Sequence, residues 1–180
     1  MTEILTLLDV HQPYNAEERA MQTRMIEFVN KYPTCCFDRT LSVGHVTGSA
    51  WIVDESRGYA LLVHHRKLDR WFQPGGHCDG DPSVWQVAQR EAWEETGLRV
   101  TSLSKAIYDL DIHTIPARGA EPEHLHYDVR FLFQADRSQP LVVTHESKDI
   151  RWVPLSEIAS LNDSPSIMRM VNRMRQNRFC

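Results

Sequence analysis

Apolar residues recur at two spacings along this chain, and the change from one to the other divides it. Residues 1 to roughly 34 read as helical. Met21, Met25, Phe28, Val29 and Tyr32 share one helical face, and the run ends near Pro33. Asn15 followed by Glu18 has the form of a capping box at its start. From His45 the pattern turns to β-formers. His45 to Val53 and Tyr59 to His64 predict two strands, and Asp54-Glu55-Ser56-Arg57-Gly58 between them is turn chemistry, so the pair predicts a hairpin. Trp71-Phe72 then leads into Gln73-Pro74-Gly75-Gly76, a break in any regular element. Asp81 as N-cap, Pro82 as first residue and Gly97 as stop bracket a helix over 82–96. Ala117 to Glu123 reads as a loop. Leu125, Tyr127, Val129, Phe131 and Phe133 alternate with polar residues along a further strand, and Ile150 to Val153 is another. Ser164 and Pro165 open a last helix carrying Ile167, Met168, Val171 and Met174. Strands around a central helix, with helices at both ends, predict an α/β layered domain over 37–180 behind a helical extension over 1–36.

Composition narrows the partners. The chain has 180 residues, 42% hydrophobic and 24% charged, an ordinary globular balance. A net charge of −4 provides no basic field for duplex nucleic acid. A phosphorylated small molecule stays compatible, because bound metal ions supply positive charge locally. No apolar run reaches the length of a membrane span and the start, MTEILTLLDV, lacks the basic residues of a signal peptide, so a cytoplasmic location and no membrane partner are expected. A homodimer is compatible with the sequence. Cys35, Cys36, Cys78 and Cys180 show no CxxC spacing and suggest neither zinc site nor disulfide framework.

The chemistry concentrates between Gly76 and Leu98. On the expected helix Val84, Val87 and Ala88 form a stripe that Glu91, Glu94 and Glu95 continue. Three carboxylates on a core-facing stripe repel one another, and burial would favour their neutral forms. A hard divalent cation removes the conflict, since Mg²⁺ takes carboxylates together with substrate phosphates, and Mn²⁺ can stand in. Arg90 is placed to hold Glu91 through a charge-assisted hydrogen bond. The plainer reading, a solvated acidic face, fits poorly with carboxylates in phase with the apolar stripe.

Gly76, Arg90, Glu91, Glu94, Glu95, Gly97 and Leu98 together resemble the Nudix box of MutT-like hydrolases, Gly-x5-Glu-x7-Arg-Glu-U-x-Glu-Glu-x-Gly-U, with its spacing intact. The resemblance covers roughly 40–160. It implies the Nudix α/β/α sandwich with a mixed sheet, and a hydrolase that cleaves a pyrophosphate bond in a nucleotide-like small molecule. It further implies Glu91, Glu94, Glu95 and the Gly76 carbonyl as metal ligands, with Arg90 orienting Glu91. Two positions depart from the pattern. Pro82 stands where the box has its early glutamate, with Asp79 and Asp81 as nearby substitutes, and Ala92 stands at a bulky aliphatic position. Such enzymes often bring a further carboxylate from a loop beyond the box, and Glu146 occupies a suitable place as ligand or general base.

His124, His126 and Asp128 alternate along their strand and share a face, which reads as a substrate-contacting wall, a second cation site or a plain polar surface. His77, beside Gly76, joins them as a substrate-binding candidate. Trp71, Trp93 and Trp152 are candidates to stack a base, against the commoner role of packing. Two functions from different classes remain: a pyrophosphohydrolase, and a non-catalytic nucleotide-binding module, which the missing box glutamate would suit.

Overall fold

The computed structural model describes residues 2–119 and 121–176, so Cys180 lies outside the described residues. In chain order the elements are α1 (Glu3–Val10), α2 (Ala16–Lys31), β1 (Gly44–Val53), β2 (Tyr59–His65), β3 (Arg70–Phe72), β4 (Gly75–His77), α3 (Val84–Thr96), β5 (Thr101–Ile115), β6 (His124–Gln134), β7 (Ser147–Pro154), α4 (Ile158–Leu161) and α5 (Pro165–Gln176).

The strands expected as a hairpin are present, but β1 and β2 pair only at Val53 and Ala60. The Asp54 carboxylate closes the turn by accepting from the Gly58 and Tyr59 amides and the Ser56 hydroxyl. Beyond that pair the strands diverge. β1 runs parallel to β6 along its whole length and takes β4 antiparallel on its other edge, through Thr47, Gly48 and Ser49. β2 pairs with β7 on one edge and β3 on the other. The outcome is a forked, mixed sheet of seven strands.

Side-chain alternation gives each face its own core. On one face Ile4, Leu8, Met25, Phe28 and Val29 pack with Val84, Val87, Ala88 and Ala92 of α3 over Val46, Ala50, Ile52, Val129, Phe131 and Phe133. On the other, Ile158, Ile167, Met170, Val171 and Met174 cover Trp51, Val53 and Leu62. The architecture is an α/β/α sandwich whose first two helices share a core with α3. Among the described residues no helix is long and apolar enough to cross a membrane.

Two helix starts differ from expectation. α3 begins at Val84, not at 82, because Asp81 Oδ1 accepts from the Ser83 amide at 2.9 Å and holds Pro82 in a turn ahead of the helix. Gly97 ends it in the left-handed conformation, φ 74°, as its position suggested. At α2, Asn15 Oδ1 accepts from the Glu18 amide at 2.9 Å, the first half of a capping box. The return half is absent, since the Glu18 carboxylate instead takes the Tyr14 amide, the Leu110 amide, the His11 ring and Arg173.

Glu18 is therefore a fully buried hub joining α2 to β5 and α5. Burial pushes its pKa up, but the His11 hydrogen bond, the Tyr14 amide and Arg173 outweigh burial and hold it below the ordinary value of 4.5. A depressed carboxylate stabilises the fold fully above its unfolded pKa, and that contribution disappears as pH falls through the folded value. Glu18→Gln should accordingly be less stable than wild type at neutral pH and lose less stability on acidification from about pH 6 to about pH 3. Urea melts across that range check it; parallel pH profiles would remove Glu18 from the acid response.

Candidate active site

α3 packs directly on the sheet at Gly48, where a Cβ would sit 2.8 Å from the Val84 carbonyl oxygen. The same helix stripe then carries Glu91 and Glu95, half-buried, with Glu94 at the exposed rim. Beneath them runs β4. A Cβ at Gly76 would come within 2.5 Å of the Glu91 carboxyl group, so glycine leaves the space that this carboxylate fills. Glu95 Oε1 accepts from the Gly75 amide at 2.9 Å. Arg90 bridges the two elements: its Nη2 lies 3.4 Å from both the His77 carbonyl and Glu91 Oε1, and its Nε 3.7 Å from Glu94.

These carboxylates are held in mutual conflict. Burial pushes Glu95 up to about 7, with Glu91, Glu146 and Glu94 adding to the rise and only the Gly75 amide opposing it. Burial and then Glu94 raise Glu91, against Arg90, and Glu146 adds again. Glu146, largely exposed, adds its charge to the cluster's field from the segment that leads into β7. Arg66 fixes that segment, its amide donating to the Glu146 carbonyl at 2.9 Å and its guanidinium to the carbonyls of His145 and Ser147. The sequence offered no sign of this role for Arg66, since the contacts span about 80 residues of chain. Gly76, Arg90, Glu91, Glu94 and Glu95 come together in one place, and Glu146 lies near enough for its charge to raise both buried glutamates.

The remaining candidates lie on the opposite face of the sheet. β4 pairs Thr47 with His77 and Gly48 with Gly76, so Gly76 looks toward α3 and His77 away from it. There His77 meets His126 and His45, with ring centroids 5.1 and 5.0 Å away, and His124 and His113 stand within 5.4 Å of His126. Sequence reading missed His45 and His113; the parallel pairing of His45 with His126 and the antiparallel pairing of His113 with His126 bring them in.

Asp128 sits one step further along that face, buried and saturated. It accepts from Thr47 at 3.0 Å, Ser49 at 2.7 Å, Arg130 at 2.8 Å and Gln73 at 3.4 Å. Arg130 in turn reaches Asp109 at 2.9 Å and Asp111 at 3.4 Å, and Arg169 of α5 binds both of those aspartates. Burial raises Asp109 despite both arginines, whereas at Asp111 Arg130, His113 and Arg169 overcome burial and hold the carboxyl well below the usual range.

Asp79 spends both oxygens on Arg39, and Asp81 holds the Ser83 amide. Trp71 stacks on His64, 4.8 Å between centroids, while Trp93 is exposed and Trp152 packs against the core. Cys36 and Cys78 are buried, and burial pushes the Cys36 thiol up to about 11 and raises that of Cys78 too. Neither is a reactive thiolate.

Comparison with known proteins points in one direction. A family model described as NUDIX domain matches residues 44–173. The phosphatase NudJ of Escherichia coli K12 is 31% identical over 120 residues, 64% of this chain and 67% of that protein. Among solved structures, a Caenorhabditis elegans Ap4A hydrolase binary complex superposes with a TM-score of 0.59 at 18% identity, covering 73% of this chain and 95% of its own. A NUDIX hydrolase from Nitrosomonas europaea gives 0.56 at 20% identity, with 73% and 88% covered.

Proposed function

The chain belongs to the NUDIX family, and on that premise we propose that it performs metal-dependent hydrolysis of a pyrophosphate bond in a nucleoside diphosphate linked to another moiety. It is a Nudix hydrolase acting on nucleotide pyrophosphate-type substrates. The finer reading rests on one observation: Glu91 and Glu95, both raised by burial and by the charges of Glu94 and Glu146, sit against a strand stripped of side chains at Gly76.

That donor set fits a hard divalent ion, Mg²⁺ or Mn²⁺. The carboxylate group packed against Gly76 and the shortage of positive charge around Glu95 are what such an ion relieves. Glu91, Glu94, Glu95 and the Gly76 carbonyl would hold it. When bound, the ion supplies positive charge to the phosphate oxygens as the anhydride bond breaks. Arg90 keeps Glu91 in place from the side and ties α3 to β4. Glu146 accepts a proton from the attacking water on a carboxylate oxygen, held in reach by Arg66. His77, His124 and His126, on the far side of β4, are proposed to face the substrate; Asp128 supports that wall from within.

A non-catalytic binding module has no use for clustered carboxylates, and the NudJ relative carries the name phosphatase. The test is a panel of dinucleoside polyphosphates, nucleotide sugars and nucleoside triphosphates, followed by phosphate or mononucleotide release across a Mg²⁺ titration. Activity should appear on linked nucleoside diphosphates and vanish with chelator. On that substrate Glu146→Gln should lower kcat by about 10²–10⁴-fold, with KM little changed. A fully metal-loaded protein inert on the whole panel would move the assignment to binding.

A further inference from the structure

We infer that His45, His77 and His126 form a binding site for a divalent transition-metal ion, Zn²⁺ foremost, separate from the carboxylate cluster beside α3. Three strands each contribute one imidazole. The β1–β6 register sets His45 beside His126, and the β1–β4 register brings His77 in at Thr47, the next position on that face. One ring nitrogen from each lies within 4.8 Å of the others. A tetrahedral ion with Zn–N bonds of about 2.0–2.1 Å needs its nitrogens roughly 3.4 Å apart, so modest side-chain rotation closes the set.

The hydrogen bonding shows what the cluster lacks. His45 is 1% exposed, yet neither of its ring nitrogens has a partner, and His126 Nε2 is also buried without one. Buried polar atoms are ordinarily satisfied, and a coordinate bond satisfies a bare imidazole lone pair. Two neighbouring rings are anchored by hydrogen bonds of their own. His124 Nδ1 donates to the Pro122 carbonyl at 2.9 Å, which leaves its Nε2 lone pair free, and His113 Nδ1 lies 3.0 Å from Asp111. His124 stands beside the triad, 5.1 Å from His45 between centroids, outside the set of converging nitrogens.

The donor type decides the ion. Imidazole nitrogen suits zinc, copper, nickel and iron, whereas carboxylate and carbonyl oxygen suit magnesium and manganese. The sheet therefore presents two donor sets of opposite character on opposite faces of β4. This inference does not require the hydrolytic reading, and its test reads metal binding directly.

The whole chain, stripped with chelator, is titrated with Zn²⁺ and separately with Co²⁺ as a spectroscopic probe, without Mg²⁺. One equivalent should bind, Co²⁺ should show the visible bands of a low-coordinate nitrogen site, and Zn²⁺ should raise Tm. His45→Leu and His126→Gln should each weaken binding by about 10–100-fold or more and erase the Zn²⁺-dependent rise in Tm. The Glu91→Gln, Glu95→Gln double variant should keep both. Metal-free His45→Leu should melt no lower than wild type, because the imidazole it removes has no hydrogen bond to lose and leucine fills the same buried space. Should it fail to fold, His126→Gln, at the less buried ring, decides alone. Zn²⁺ affinity that is absent, indifferent to the histidine changes, or lost with the glutamates instead would overturn the assignment.

Discussion

Glu95→Gln should lower kcat on the confirmed substrate by about 10³-fold, roughly 4 kcal/mol of transition-state stabilisation, while the protein stays folded. Glutamine preserves the shape and still offers an oxygen to the Gly75 amide, so the local bond survives. What disappears is the charge. In the wild type that charge sits near Glu91, Glu146 and Glu94 in a half-buried position, a repulsion that proton uptake or a bound cation relieves. The substitution should therefore move two quantities in opposite directions, activity down and metal-free Tm up. Mg²⁺ affinity should fall with activity. Rates, Mg²⁺ titration and metal-free melting on one preparation check it, and wild-type turnover in this variant would place the catalytic centre elsewhere.

The second large effect lies away from the chemistry. Arg130→Met should destabilise the fold by about 3–5 kcal/mol, since removing one partner of a buried ion set strands the rest. For a chain of this size that is roughly a 10 °C drop in Tm. Arg130 is buried between Asp109, Asp111 and Asp128, and Asp109 is already raised by burial with both arginines present. Adding Asp128→Asn to Arg130→Met should recover part of the loss, because it removes one of the stranded charges. Thermal melts of the two single variants and the double give the coupling; strictly additive losses would show that the charges do not act as a set.

The same network explains what the sequence concealed. The longest strand, β5, has no clean period-two signature. Its pairing with β6 shifts register between Ser102 and Ile107 and again before Asp109, so apolar positions lose their phase. Its two buried acids look like surface residues until Arg130 and Arg169 arrive from elements 21 to 60 positions away. The hairpin forms at its turn but extends no further for a related reason: turn chemistry at Asp54 specifies the reversal and the Val53–Ala60 pair, but the other partners of β1 are chosen by strands far along the chain. Elements whose cues are local, namely the N-cap at Asn15, the stop at Gly97 and the helix opening at Pro165, could be read directly. The carboxylate group was legible because helical spacing alone puts Glu91 and Glu95 on one stripe. The histidine group was half-legible, since His124 and His126 share a strand while His45 and His113 join only through register.

Two consecutive glycines at the start of β4 have a consequence for alignment. Side chains usually lock a strand in register, because slipping by one residue exchanges its two faces, and glycine-rich strands lose that lock. In β4 only His77 carries a side chain, and a one-residue slip would turn it toward the glutamates. Alignment is kept instead by two bonds to main-chain groups: the Ala50 amide donates to the Pro74 carbonyl at 2.9 Å, and the Gly75 amide to the Glu95 carboxylate at 2.9 Å. Glu95 thus acts as an indexing pin for the strand as well as a charge in the cluster. Glu95→Ala would remove pin and charge together, so the two losses could not be told apart, whereas Glu95→Gln withdraws the charge and leaves the pin in place.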